Sequence, residues 1–170
     1  MGKCFWITGL SATGKTTLSK KLVEYIKTNG GTIVYLDGDE LRMVLADEAY
    51  TREERLALGM RYSRLCKLLT DQGIDVVIAV IGLFHEIHKW NRENISNYIE
   101  IFIDTPLNEL IKRDPKGLYR KFKSGEISNV AGLDLNVDFP KNPDLLIQWS
   151  DNKTIDSMFG ELLLKYKEIT

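Results

Sequence analysis

The 170-residue chain is poor in the residues that build covalent or metal-stapled frameworks, with two cysteines and two histidines in all. Cys4 and Cys66 lie far apart and without a metal-ligand spacing, which argues against a disulfide scaffold or a cysteine zinc site. They are expected to be buried thiols in a reducing compartment. His85 and His88 stand three apart on one predicted helix with no third ligand, so both are expected at the surface and not on a metal. Excess charge of one sign is also missing: 23 basic side chains face 24 acidic ones, and a net charge of −1 supplies no global field to recruit nucleic acid. No apolar run approaches membrane-spanning length. The first strand pattern starts almost at Met1, which leaves no room for a charged-then-apolar signal segment. Repeats, low-complexity tracts and linkers are absent as well. The expectation is one cytoplasmic domain over residues 1–170, with no nucleic-acid and no membrane partner.

What is present begins at Gly9. Gly9-Leu10-Ser11-Ala12-Thr13-Gly14-Lys15-Thr16 matches G-x-x-x-x-G-K-[ST], behind the apolar run Cys4–Thr8 and ahead of a helical pattern. The two glycines permit torsions that let successive N–H groups turn inward around an anion. The following helix adds its N-terminal dipole and unpaired donors. Lys15 would reach the β- and γ-phosphates, and the Thr16 hydroxyl would hold a magnesium ion. The expected ATP contacts are therefore Gly9, Ser11, Ala12, Thr13, Gly14, Lys15, Thr16 and Thr17, with Lys15 also catalytic.

Strand and helix patterns then alternate. Leu18, Leu22, Val23 and Ile26 share a helical face, Gly30-Gly31 ends it, and Thr32–Leu36 reads as a strand. Helical sequence runs from about Glu40 to Gln72, broken near Ala49-Tyr50, with Thr51 and Glu54 placed as a capping box. Ile74–Ile81 is nearly continuous apolar sequence, as in a strand buried on both faces of a parallel sheet. A helix is expected from about His85 to Asn94, a strand at Ile99–Ile103, and a further helix from Thr105-Pro106 to Asp114-Pro115. From Lys116 to Pro143 periodicity fades, and about 114–143 reads as a mobile, lid-like loop region. A short strand at Leu145–Ile147 and an amphipathic helix carrying Ile155, Met158, Phe159, Leu162, Leu163 and Tyr166 close the chain. Trp6, Trp90 and Trp149 are expected to serve packing. The pattern predicts an α/β P-loop fold, a parallel sheet flanked by helices on both faces, with nucleotide at the carboxyl ends of the strands.

Asp37-Gly38-Asp39, followed by Arg42, falls at such a strand end. A carboxylate there can orient magnesium-bound water or accept a proton from an attacking hydroxyl. Asp37 is the expected catalytic carboxylate and metal residue, directly or through water, with Asp39 left open as the proton acceptor. Asp104 also ends an apolar run, but Thr105-Pro106 behind it marks it as a helix-start residue. A GTP-hydrolysing switch would also carry aspartates and a phosphate loop. Its guanine-reading Asn-Lys-x-Asp is only approached by Asn152-Lys153-Thr154-Ile155-Asp156, whose aspartate comes one place late. A small-molecule kinase is the better reading.

Gly9-Leu10-Ser11, Leu36-Asp37-Gly38-Asp39 with Arg42, and above all Asp114-Pro115-Lys116-Gly117-Leu118-Tyr119 make the chain similar to adenylylsulfate kinases. The similarity resumes at Gly125-Glu126-Ile127, Gly132-Leu133-Asp134 and Asn142-Pro143-Asp144-Leu145. The resemblance implies ATP- and magnesium-dependent phosphorylation of a ribose 3′-hydroxyl on a nucleotide bearing a 5′ mixed anhydride, and it is compatible with a homodimer. It implies Arg113 against the adenine of ATP, and Asp39, Arg42, Tyr50, Arg55, Gly82, Leu83, Phe84, Lys116 and Val130 around the acceptor, with Lys116 in a lid. Arg120, Lys121 and Lys123 read as a solvated face.

Departures from the family pattern cluster on the acceptor side. Leu58 replaces an asparagine, Gly82-Leu83-Phe84 replaces Ser-Pro-aromatic, and Val130 replaces a phenylalanine that would stack on the acceptor base. Asn136-Val137-Asp138 stands where the family has Pro-Tyr-Glu. In this the chain resembles the divergent kinases of capsule phosphoramidate biosynthesis, which implies cytidine diphosphoramidate as acceptor in place of adenylylsulfate.

Overall fold

The computed structural model describes residues 1–169. In chain order the elements are β1 (Cys4–Thr8), α1 (Lys15–Thr28), β2 (Ile33–Asp37), α2 (Gly38–Leu45), α3 (Arg52–Asp71), β3 (Asp75–Val80), α4 (His85–Asn94), β4 (Tyr98–Asp104), α5 (Leu107–Arg113), α6 (Leu118–Lys123), β5 (Leu145–Gln148) and α7 (Ile155–Ile169). The five strands form one parallel sheet in the order β2-β3-β1-β4-β5. The strands flanking β1 come from opposite directions of winding, so its carboxyl end opens into a crevice. The phosphate loop leaves from that end.

Strand alternation divides the core between the two faces of the sheet. Phe5, Ile7, Val77 and Ile101 point to one face and pack on Leu18, Leu22 and Ile26 of α1 and on Met158 and Leu162 of α7. Cys4, Trp6, Val76 and Ile78 point to the other, against Leu58, Tyr62 and Cys66 of α3 and Ile87 of α4. Because Leu18 and Leu22 are fully buried, truncating either to alanine would cost about 2–5 kcal/mol. The boundaries follow local chemistry. Thr51 and Glu54 form the reciprocal capping box at the start of α3.

The chain departs from its sequence pattern in three places. Residues Leu118–Lys123, inside the stretch expected as a loop, form α6, and Tyr119 is buried. Two turns are too short for a 3.6-residue period to declare itself. Around α6 a third cluster gathers Leu10, Leu83, Phe102, Leu110, Val130, Ala131 and Leu135. Second, His88 is not at the surface: it is buried, with Nε2 2.9 Å from the Gly82 carbonyl, which can only accept, so Nε2 carries the proton. Burial holds its pKa below the usual imidazole range. Third, Asp104 does not cap α5, whose N-cap is Pro106. Both cysteines are buried as expected, and the neighbouring Cys66 together with burial pushes the Cys4 thiol up. Among the described residues no helix is long and apolar enough to cross a membrane.

Candidate active site

The loop between β1 and α1 has little freedom. Gly9 has φ 153°, and a Cβ there would lie 2.7 Å from the Ile103 carbonyl oxygen, so a side chain cannot be accommodated. Gly14, at φ 95°, is the N-cap of α1. The Leu10 carbonyl accepts from the Thr13 hydroxyl at 3.0 Å and from Lys15 Nζ at 2.6 Å. Thr13 is thus a buried brace of the loop. Burial and the nearby Lys116 push the Lys15 ammonium down to about 7, against the opposing pull of Asp39 and Asp37. Lys15 is thus a cation that burial destabilises more than Asp37 and Asp39 offset, the state that gains most from a phosphate.

Opposite Lys15, Asp37 closes β2 and caps α2. Its Oδ2 accepts from the Thr16 hydroxyl at 2.9 Å and from Tyr35 OH at 3.0 Å, and its Oδ1 accepts the Asp39 N–H at 2.9 Å. Burial would raise the carboxyl, but these bonds and one from the Glu40 N–H outweigh it and hold the group below the usual carboxylate range. Asp37 is therefore an anion fixed in place. Asp39, more exposed, is ion-paired with Lys116.

Arg42 on α2 and Arg55 on α3 line one cavity. Arg55 donates to the Asn129 carbonyl at 2.8 Å and the Tyr50 carbonyl at 3.1 Å. Burial and the Arg42 charge lower its pKa. No hydrogen bond or ion pair holds the Arg42 guanidinium among the described residues. Two guanidiniums that share a cavity and repel each other, one of them without a hydrogen-bonded counter-ion, suit an anion. The loop beyond is tied by Asp134, which accepts the N–H groups of Asn129 at 2.8 Å and Val130 at 2.7 Å. Further on, Asp138 accepts from Arg52 at 2.8 Å and from the His85 N–H at 3.2 Å. Arg52 also lies 5.1 Å from the centre of the Phe84 ring.

Lys15, Thr16, Asp37, Asp39, Arg42 and Arg55 line a cavity of about 430 Å³. Of the residues expected from sequence, it brings together Ser11, Ala12, Gly14, Lys15, Thr16, Thr17, Asp37, Asp39, Arg42, Arg55, Gly82, Phe84, Lys116 and Val130. It does not bring Tyr50, which is 55% exposed and outside the lining, or Leu83, which is fully buried in the third core cluster. Tyr50 follows the α2–α3 break, and its carbonyl accepts from Arg55. Leu83 sits at the centre of a tight turn, closed by the Phe84 N–H on the Gly82 carbonyl at 3.1 Å, and its side chain goes to the third core cluster instead of the cavity. Gly82 has φ 46°, and a Cβ there would meet Trp6 at 2.9 Å.

Arg113 lies in a second, smaller cavity of about 160 Å³ on the other side of the phosphate loop, with Thr13, Gly14, Trp149, Lys153 and Ile155. Trp149 and Lys153 were not legible as site residues. Trp149 looks like packing in the sequence, and Lys153 belongs to the near-match to a guanine-reading element; here it pairs with Glu161. Trp6, Gly59 and Tyr62 in the large cavity also escaped notice. For two of these a signal exists: Arg55, Leu58, Gly59 and Tyr62 fall at i, i+3, i+4 and i+7, one face of α3. Asp104 lines neither cavity.

Among the described residues no three His, Cys, Asp or Glu side chains gather as a metal cage. The Thr16 hydroxyl and Asp37 carboxylate, 2.9 Å apart, offer two hard oxygens beside the phosphate loop. That suits an ion that keeps waters and takes its other ligands from phosphates.

Residues 1–148 match the family model for adenylylsulphate kinase. The chain is 41% identical over 160 residues to the cytidine diphosphoramidate kinase of Campylobacter jejuni, covering 94% of this chain and 93% of that protein. It is 34% identical over 169 residues to the adenylyl-sulfate kinase of Picosynechococcus, covering 99% and 95%. Among solved structures, the Mycobacterium tuberculosis APS kinase CysC in complex with AMPPNP and APS superposes with a TM-score of 0.89 at 33% identity, covering 98% of each chain. With the P-loop, the parallel sheet and the paired arginines in place, the chain belongs to the adenylylsulphate kinase family and is an ATP-dependent nucleotide kinase.

Proposed function

We propose that this enzyme transfers the γ-phosphoryl group of ATP to the ribose 3′-hydroxyl of a nucleotide 5′-anhydride, and that its acceptor is cytidine diphosphoramidate. The observation that carries the reading is the Arg42–Arg55 pair, two mutually repelling guanidiniums that line one cavity with the phosphate loop and Asp37. An acceptor with a charged 5′ anhydride would neutralise both guanidiniums and leave its ribose beside the carboxylate. ATP would lay its phosphates on residues 9–16 and its base in the cavity holding Arg113. Thr16 and Asp37 would hold magnesium, which when bound offsets the negative charge of the phosphates.

The roles of the chain's own residues follow. Lys15 exchanges the Leu10 carbonyl for phosphate oxygens. Asp37, with four donors on it, is a weak base, so its work is to orient the acceptor hydroxyl and take its proton only late in transfer, as a loose transition state permits. Lys116 leaves Asp39 for the phosphates as residues 114–143 cover the substrates.

The cytidine compound is favoured over adenylylsulfate by the acceptor wall, where Val130 and Leu58 present aliphatic surface, and by the 41% relative whose name carries it. The rival acceptor, adenylylsulfate, has its own support in the relatives named adenylyl-sulfate kinase. Assay of both acceptors with labelled ATP, reading 3′-phosphorylation, decides between them.

A further inference from the structure

The phosphate loop contains one residue in an unfavourable backbone conformation. Ala12 has φ 68°, in the left-handed region that a residue bearing a Cβ resists. A brace reaches the loop just there, from α6. The Asp114 carboxylate accepts the N–H groups of Tyr119 at 3.2 Å and Arg120 at 2.9 Å and so fixes the first turn of that helix. Tyr119, only 3% exposed, then donates its hydroxyl to the Ser11 carbonyl at 3.0 Å, across 108 positions of sequence. Burial and Asp114 push the phenol up to about 12, so it stays a neutral donor at working pH.

The Ser11–Ala12 peptide is trans, and a trans peptide holds its C=O and N–H on opposite sides. Capturing the Ser11 oxygen on the α6 side turns the Ala12 N–H to the other side of the loop. Ser11 and Ala12 both line the large cavity. We propose that Tyr119 is a positioning residue for phosphoryl transfer: its hydroxyl holds the Ser11–Ala12 peptide in its strained orientation and so presents the Ala12 N–H to the phosphates of the donor nucleotide. The inference rests on the donor-site reading of residues 9–16. It also gives the Asp114–Tyr119 segment a double function, since the same segment carries Lys116 to Asp39 on the acceptor side.

The test is equilibrium binding of ATP, without acceptor, to four proteins: the parent, Tyr119→Phe, Ala12→Gly and the double variant. Tyr119→Phe keeps the buried ring and removes one oxygen. It is expected to weaken ATP roughly 3- to 10-fold, the worth of one hydrogen bond. Glycine adopts φ 68° without strain, so in the Ala12→Gly background the same change should weaken ATP by less than half that factor. Parent-like ATP affinity in Tyr119→Phe overturns the proposal. Equal losses in both backgrounds do so too, because they mark a role in general stability and not in holding Ala12. If the parent itself fails to bind ATP, the donor-site reading falls and takes this inference with it.

Discussion

On the donor side of the cleft the contacts come mainly from one consecutive segment, whose backbone carries the Lys15 and Thr16 side chains. Residues 9–16 fix one another through the Leu10 carbonyl, the Gly9 approach to Ile103 and the start of α1. On the acceptor side they are made by side chains from four separate places: Arg42 on α2, Arg55 and Leu58 on α3, Phe84 after β3, and Val130 in the loop near Asp134. A site built on one segment tolerates little substitution and keeps one ligand class. A side-chain site can be retuned one position at a time without disturbing the fold. That asymmetry explains how a chain can keep the ATP half of its family intact and depart from it around the acceptor.

The largest effect should come where the halves meet. Asp37→Asn keeps the size and removes the charge that orients the acceptor and anchors Thr16, so turnover is expected to fall about 10²- to 10⁴-fold. Asp104→Asn, which touches neither cavity, should stay within a few-fold of the parent. Similar severe losses in both would move Asp104 into the metal site. On the donor side, Lys15→Ala should cut turnover about 10²- to 10³-fold with the fold retained, as circular dichroism and steady-state assay would show. Turnover near the parent rate would mean that the loop does not bind the transferred phosphate.

On the acceptor side, Val130→Phe restores one aromatic wall. It should improve adenylylsulfate kcat/KM by roughly 5-fold, the low end of one base stack, while leaving ATP binding unchanged. A change in ATP affinity instead would show that the halves are not separable.

A smaller effect concerns pH. Lys15 sits at about 7 without nucleotide, and bound phosphate must raise it. A group whose pKa rises on binding favours binding below its free pKa and loses that contribution as pH climbs toward the bound value. ATP affinity should therefore fall above pH 7, by at most about 10-fold per unit. Calorimetry in buffers of different ionisation enthalpy should detect net proton uptake near pH 8, absent in Lys15→Ala.

The same asymmetry governs how much could be read in advance. The phosphate loop, the sheet and the Asp37 strand end were legible because each is written in consecutive residues or a regular period. Tyr50, Leu83, Phe84 and Val130 could be expected around the acceptor only through likeness to a family, and of the four the cavity is lined by Phe84 and Val130. A motif gives sequence position, but which way a side chain turns depends on packing. Trp6 lies beneath Gly82 because strand alternation points it toward α3, and no local pattern states that the wall of a cavity lies there. His88 was missed for a related reason: its only signal is the Gly82 carbonyl, six positions away.

Acceptor choice turns on the wall that Leu58 and Val130 make, and the direct measurement is kcat/KM for 3′-phosphorylation of cytidine diphosphoramidate and of adenylylsulfate under identical ATP. One lost stack lowers adenylylsulfate affinity roughly 5- to 150-fold, and an unpaired polar group against Leu58 adds a comparable loss. The predicted result is a preference of at least about tenfold for the cytidine compound. A preference for adenylylsulfate would contradict it and place this chain with the adenylyl-sulfate kinases it otherwise resembles.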